Sequence, residues 1–152
     1  MRGFVRRGAE IHLDLAPAEV HLLGLAPQLL ATVDLEDGED PASARLRYRA
    51  HPDDADTDAR FRELTERDLM SARSADRVRF VKSMKRGTLD LDDAEAWVRV
   101  LGEARLVLAA RLGIEEGGWE HDTPPEEPAE MLLLRMLGAV QDELVGVLLD
   151  SL

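Results

Sequence analysis

The 152 residues contain no cysteine. That removes a disulfide scaffold, a thiolate nucleophile, a Cys-ligated zinc and a thiol redox switch from consideration. No apolar run reaches the ~20 residues that a membrane-spanning helix needs. Positive charge is in short supply, with 19 Lys and Arg against 31 Asp and Glu and a formal charge of -12. Such a balance argues against a surface that attracts nucleic acid as a whole, while leaving room for a local basic patch. Catalytic signatures are missing as well. There is no G-x-S-x-G, no phosphate-binding G-x-x-x-x-G-K-[ST], and no dinucleotide G-x-G-x-x-G after a strand. The basic start, Met1 to Arg7, has no long apolar stretch behind it and is not expected to be a secretory signal. The expectation is a single cytoplasmic domain over 1–152, without a membrane association.

What is present is helical patterning with clear punctuation. Residues 1–15 read as a hairpin. Gly8 separates Gly3–Arg7 from Ala9–Leu15, and Ile11, Leu13 and Leu15 alternate with His12 and Asp14. A hairpin alone is marginal in water, so this one is expected to lie on helices. Residues 16–33 carry Val20, Leu23, Leu30 and Val33 at helical spacing. Pro17 suits a first turn, while Gly24 and Pro27 predict a kink or break. Residues 34–55 open an acidic loop region, and the stretch 34–59 carries a net charge of -6. Leu46 and Tyr48 are its candidate anchors. From Asp56 to Arg86 no Gly or Pro occurs, which predicts one long helix, or two in line with a bend at 71–75. Phe61, Leu64 and Leu69 are expected to face inward in its first half, and Val78, Val81 and Met84 in its second. Gly87 is its natural stop.

A further helix is expected over 90–112. Asp90 or Asp92 can cap it, Asp92 with Glu95 approximates a capping box, and Arg111 suits its last turn. Trp97, Leu101, Ala104, Leu108 and Leu112 form its apolar face, and Gly113 with Ile114 can end it. Residues 113–128 hold glycines, prolines and five glutamates and read as a mobile loop. The last helix, over 129–150, has one stripe of Leu133, Leu137, Val140, Leu144 and Leu148. Leu132, Met136, Val145 and Leu149 extend its apolar surface beyond that stripe. A central place in the core is the expectation, with a homodimer face as the alternative. The fold class is therefore mainly α, a short N-terminal β-hairpin packed on a bundle of four to five helices.

Residues able to carry chemistry fit bland roles. None of His12, His21, His51 and His121 lies four residues from another, so no metal-binding helix pair exists. His12 and Asp14 share a strand face, and His121-Asp122 falls in the proline-rich loop. Asp90, Asp92 and Asp93 complement a helix dipole. A calcium loop counted from Asp90 would put Glu95 where glycine is needed and Leu101 where glutamate is needed, so that reading fails. No catalytic, cofactor-binding or metal residues are assigned.

One charge feature stands out. Arg73, Arg77, Arg79, Lys82, Lys85 and Arg86 face Asp76 alone, giving a local charge of +5 in a chain of -12. These six residues are the candidate partner-binding set. At about 100° per residue they point in several directions, so they do not form a single groove-reading stripe. A solvated helix end is the plain account, and a docking surface for acidic protein or phosphate is the functional one. No helix-turn-helix turn follows the run, so base readout is not indicated, although direct DNA contact stays open.

Several stretches resemble the actinobacterial AosR family, oxidative-stress transcriptional regulators first classed as a domain of unknown function. The most specific are Phe61-Arg62-Glu63-Leu64-Thr65-Glu66-Arg67-Asp68-Leu69 and Glu95-Ala96-Trp97-Val98-Arg99-Val100-Leu101, continuing through Arg105-Leu106-Val107-Leu108 to Arg111-Leu112-Gly113. Leu13-Asp14-Leu15 to Glu19, Asp40-Pro41 to Ala44-Arg45-Leu46 and Leu137 to Leu144 also fit, so the similarity covers nearly the whole chain. The resemblance implies a non-enzymatic regulator that contacts the transcription machinery, a sigma factor or RNA polymerase. It also implies redox control through cysteines, and here the sequence departs, because a chain without cysteine cannot sense by thiol chemistry. Met70, Met84, Met131 and Met136 can be oxidised, but their helical spacing suits core packing.

Overall fold

A computed structural model describes residues 3–33, 42, 71–113 and 129–150, together with the backbone of 55–70. The acidic loop with Leu46 and Tyr48, the side chains of Phe61, Leu64, Leu69 and Met70, His51, Ile114 and the loop with His121 lie outside the described residues. The chain is mainly helical, with the antiparallel hairpin at its start. Strands β1 (Phe4–Arg7) and β2 (Glu10–Leu13) pair with Phe4 opposite Leu13 and Arg7 opposite Glu10. Only two residues join them. Gly8 takes φ +65 while Ala9 stays at negative φ, so the glycine sits where a two-residue hairpin needs a left-handed residue.

A third strand, β3 (Thr88–Leu89), adds to β2 with Leu89 opposite Ile11 and Thr88 opposite His12. Sequence patterning did not foresee it, because two residues are too short to show a period of two. It exists because the long helix stops at Gly87, which takes φ +82, and the next helix is capped at Asp90. The two residues between are laid extended beside β2. The Leu13 N–H donates to the Gly87 carbonyl at 3.0 Å and secures the junction. Phe4, Ile11 and Leu89 carry the buried face of this sheet into the core.

Helices α1 (Pro17–Leu23) and α2 (Leu25–Ala31) are divided at Gly24, as Gly24 and Pro27 predict. Pro27 is the third residue of α2, where its missing N–H has no intrahelical partner to lose. Helix α3 (Ala55–Arg86) is one continuous helix, unbroken through 71–75. Its inward register differs from the expectation. Phe80 and Ser83 are fully buried, whereas Val78 is 52% exposed and Val81 37%. Only Met84 of the expected three is half-buried against the core.

Helix α4 (Leu91–Arg111) is the centre of the bundle, touching α2, α3, β3 and α5 (Ala129–Leu149). The more apolar C-terminal helix was expected there. The reason α4 takes the place is side-chain size. Ala94, Ala96, Ala104 and Ala110 are buried on it and let neighbours approach from several sides around Trp97, Leu101 and Leu108. Helix α5 packs Leu134, Leu137, Val140 and Leu144 on α4 and leaves Leu132 and Leu149 in solvent. Two glycines fit this seam. Gly138 passes beneath the Arg105 guanidinium, and Gly102 lies beside Gln141, whose amide oxygen accepts from Arg105 Nη1 at 2.7 Å. Glu143 of α5 accepts the Gly3 N–H at 2.7 Å and ties the hairpin to the C-terminal helix.

Candidate functional site

The basic run occupies the last four turns of α3, which lie antiparallel to the first half of α4. The seam between them is largely ionic. Going down α3, Arg73 meets Glu103 at 3.4 Å. Asp76 receives both Arg99 Nε at 2.8 Å and Arg99 Nη2 at 3.0 Å. Phe80 stacks on Trp97 with centroids 4.3 Å apart, and Phe4 meets the same indole edge-on at 6.0 Å. Ser83 Oγ accepts the Trp97 indole N–H at 2.8 Å and donates to the Arg79 carbonyl at 2.6 Å, so both buried polar groups are satisfied.

The lower end of the seam is a clamp on Asp93. This aspartate is the third residue of α4, and its side chain is only 4% exposed. Its carboxylate accepts from Arg79 Nη1 at 3.1 Å, from Arg86 Nη2 and from the Asp90 N–H at 3.0 Å. Asp90 returns the contact by accepting the Asp93 N–H at 2.7 Å, a reciprocal cap two residues earlier than the Asp92–Glu95 pair read from sequence. Burial raises the Asp93 pKa, but the Asp90 N–H and the charges of Arg86 and Arg79 outweigh it, and the carboxyl is held below its ordinary range. At the other end the balance reverses. Burial pushes the Glu103 carboxyl above its usual range despite the opposing charges of Arg73 and Arg77.

The six candidate residues are thus divided rather than gathered. Arg73 and Arg77 hold their charge against Glu103, and Arg79 and Arg86 close on Asp93. Lys82 and Lys85 stand exposed on the outer side of α3, with no ion pair among the described residues. A surface cavity of about 530 Å³ opens between this part of α3 and the start of α4, lined by Val78, Arg79, Lys82, Arg86, Asp90 and Asp93. Reading the sequence missed Asp93 as the organising residue. Its signal was an Asp-x-x-Asp spacing immediately before an apolar helix. It also missed Val78 and Val81 as surface residues.

Elsewhere, His12 lies on the sheet with Glu10 3.6 Å away, and His21 is exposed at the end of α1. Among the described residues no group of three His, Asp or Glu side chains is placed to hold a metal ion. No described helix is long and apolar enough to cross a membrane. Comparison with known proteins gives a family and no more specific relative. No curated protein and no solved structure matches the chain. Residues 1–148 match the family described as a domain of unknown function, DUF2017, and the chain belongs to that family.

Proposed function

We propose that this chain is a regulatory protein of the AosR type that acts by contacting the transcription machinery, a sigma factor or RNA polymerase, and not by catalysis. The observation that supports the reading is the exposed cationic edge of α3. Arg79 and Arg86 remain 45% and 52% exposed while clamping Asp93, and Lys82 and Lys85 stand beside them in a chain of net charge -12. A local field of opposite sign to the rest of the molecule orients encounters and selects partners. Sequence similarity to AosR supplies the class of partner.

The test is capture of purified RNA polymerase and sigma factors from the native host by immobilised protein, wild type against a Lys82→Glu, Lys85→Glu variant. Capture by wild type and its loss in the variant are expected. Failure of wild type to retain any of these subunits would remove the transcription reading. A second reading, homodimerisation through α5, has an observation of its own: Leu132 is 56% and Leu149 61% exposed. A purely monomeric species in sedimentation at micromolar concentration excludes it.

A further inference from the structure

The outer face of α3 carries more than charge. At about 100° per residue, Ser74, Ala75, Val81, Lys82 and Lys85 all fall within roughly 60° of Val78, and Phe80 and Ser83 lie roughly 140–160° away on the buried side. All six outer residues are exposed. They make a strip from Ser74 to Lys85 with an apolar floor of Ala75, Val78 and Val81 and a lysine on each side of the Val78 line. The cavity runs along this strip, from Ser74 and Ala75 past Val78 and Lys82 to Arg86 and the Asp93 clamp.

From this arrangement we infer that the outer face of α3 is a docking site for an acidic amphipathic helical segment of a protein partner. This deepens the proposed function by naming the partner's chemistry, and rests on the reading of the chain as a protein-binding regulator. The segment's apolar side chains cover Val78 and Val81, and its carboxylates meet Lys82 and Lys85.

Charge decides among the possible occupants. Nucleic acid is disfavoured because Arg79 and Arg86 are already engaged by Asp93, which leaves Lys82 and Lys85 as the cations of the strip. Two lysines, without an ion pair among the described residues, also fall well short of the ~6–10 phosphate contacts of a typical DNA-binding surface. A second copy of this chain is disfavoured because an isologous contact would set Lys82 and Lys85 against themselves. An acidic helix matches both the apolar floor and the lysines, in the groove-binding mode that uses anchors at i, i+3 or i+4 and i+7.

The experiment uses the full chain, isotopically labelled for NMR. The probe is a synthetic amphipathic peptide with leucines along one helical face and Asp or Glu elsewhere. Comparison probes are its scrambled isomer, its lysine counterpart and a random DNA duplex. Expected are shifts confined to the outer face of α3 and the start of α4. Affinity should fall about tenfold in Lys82→Glu, Lys85→Glu and in Val78→Asp, three changes at exposed positions that leave the fold intact by circular dichroism. The inference is overturned by shifts centred elsewhere, by equal binding of the scrambled peptide, by preference for DNA, or by no binding at millimolar peptide. Peptide binding on this face without capture of polymerase or sigma factor keeps the docking site and removes the transcription reading. Capture that survives all three substitutions does the reverse.

Discussion

Replacing Asp93 by asparagine is the sharpest test of how α3 is attached. The change keeps side-chain volume and leaves one carbonyl oxygen able to accept the Asp90 N–H. It removes the charge that holds Arg79 and Arg86. It also turns an amide N–H group toward guanidinium donors in a nearly closed site. A hydrogen bond to a charged partner contributes about 1.5–3 kcal/mol when buried. Both arginines here are about half exposed and can return to water, so the two contacts are discounted to about 1 kcal/mol each. With partial loss of the reciprocal cap the expected destabilisation is about 3 kcal/mol. For a chain of this length that is a fall of ~6–12 °C in Tm.

The pH dependence carries the refutation. The folded pKa of Asp93 lies below its ordinary value of 3.8. Its ionisation therefore contributes stability that is fully present above the unfolded pKa and is lost as pH falls through that value toward the folded one. Asparagine does not titrate. The gap between wild type and Asp93→Asn in urea unfolding should be constant from pH 7 to about pH 5 and should narrow below about pH 4. A variant within about 0.5 kcal/mol of wild type at pH 7, or a gap that widens in acid, would refute the clamp.

Three further outcomes are expected. Ser83→Ala leaves the Trp97 indole N–H buried without an acceptor and should cost about 1–3 kcal/mol in urea unfolding, far more than an exposed Ser74→Ala change. Gly87→Ala meets no atom within 4 Å, so its cost is conformational alone, about 1–2 kcal/mol for a side chain at φ +82. Glu103 has a folded pKa above its ordinary 4.5, so its ionisation opposes folding at neutral pH, and that cost is relieved as pH falls through the folded value. Glu103→Gln should therefore be no less stable than wild type at pH 7, with any advantage gone by about pH 4, as denaturant titrations at the two pH values would show.

The hairpin, the break at Gly24, the stops at Gly87 and Gly113 and the buried face of Trp97, Leu101, Ala104 and Leu108 were legible in the sequence. In each of these a local rule and the tertiary structure agree. The register of α3 was not legible, and the cause is physical. From Ser71 to Arg86 its apolar residues give two candidate stripes, Val78 with Val81 and Phe80 with Met84. Counting favours neither, because α3 is attached by ion pairs as much as by apolar burial. What selects the Phe80 face is the partner. Trp97 offers Phe80 a ring to stack on and offers Ser83 an N–H, while Glu103, Arg99 and Asp93 meet Arg73, Asp76 and Arg86 along the same line. That complementarity lies between two helices and cannot be read from either alone. The same fact governs the candidate site. Once Arg73, Asp76, Arg79 and Arg86 are drawn to α4, the side of α3 turned to solvent is fixed as the one with Val78, Val81, Lys82 and Lys85. The charge run seen in the sequence is therefore mostly a structural seam, and the surface left for a partner is the remainder that the seam does not use.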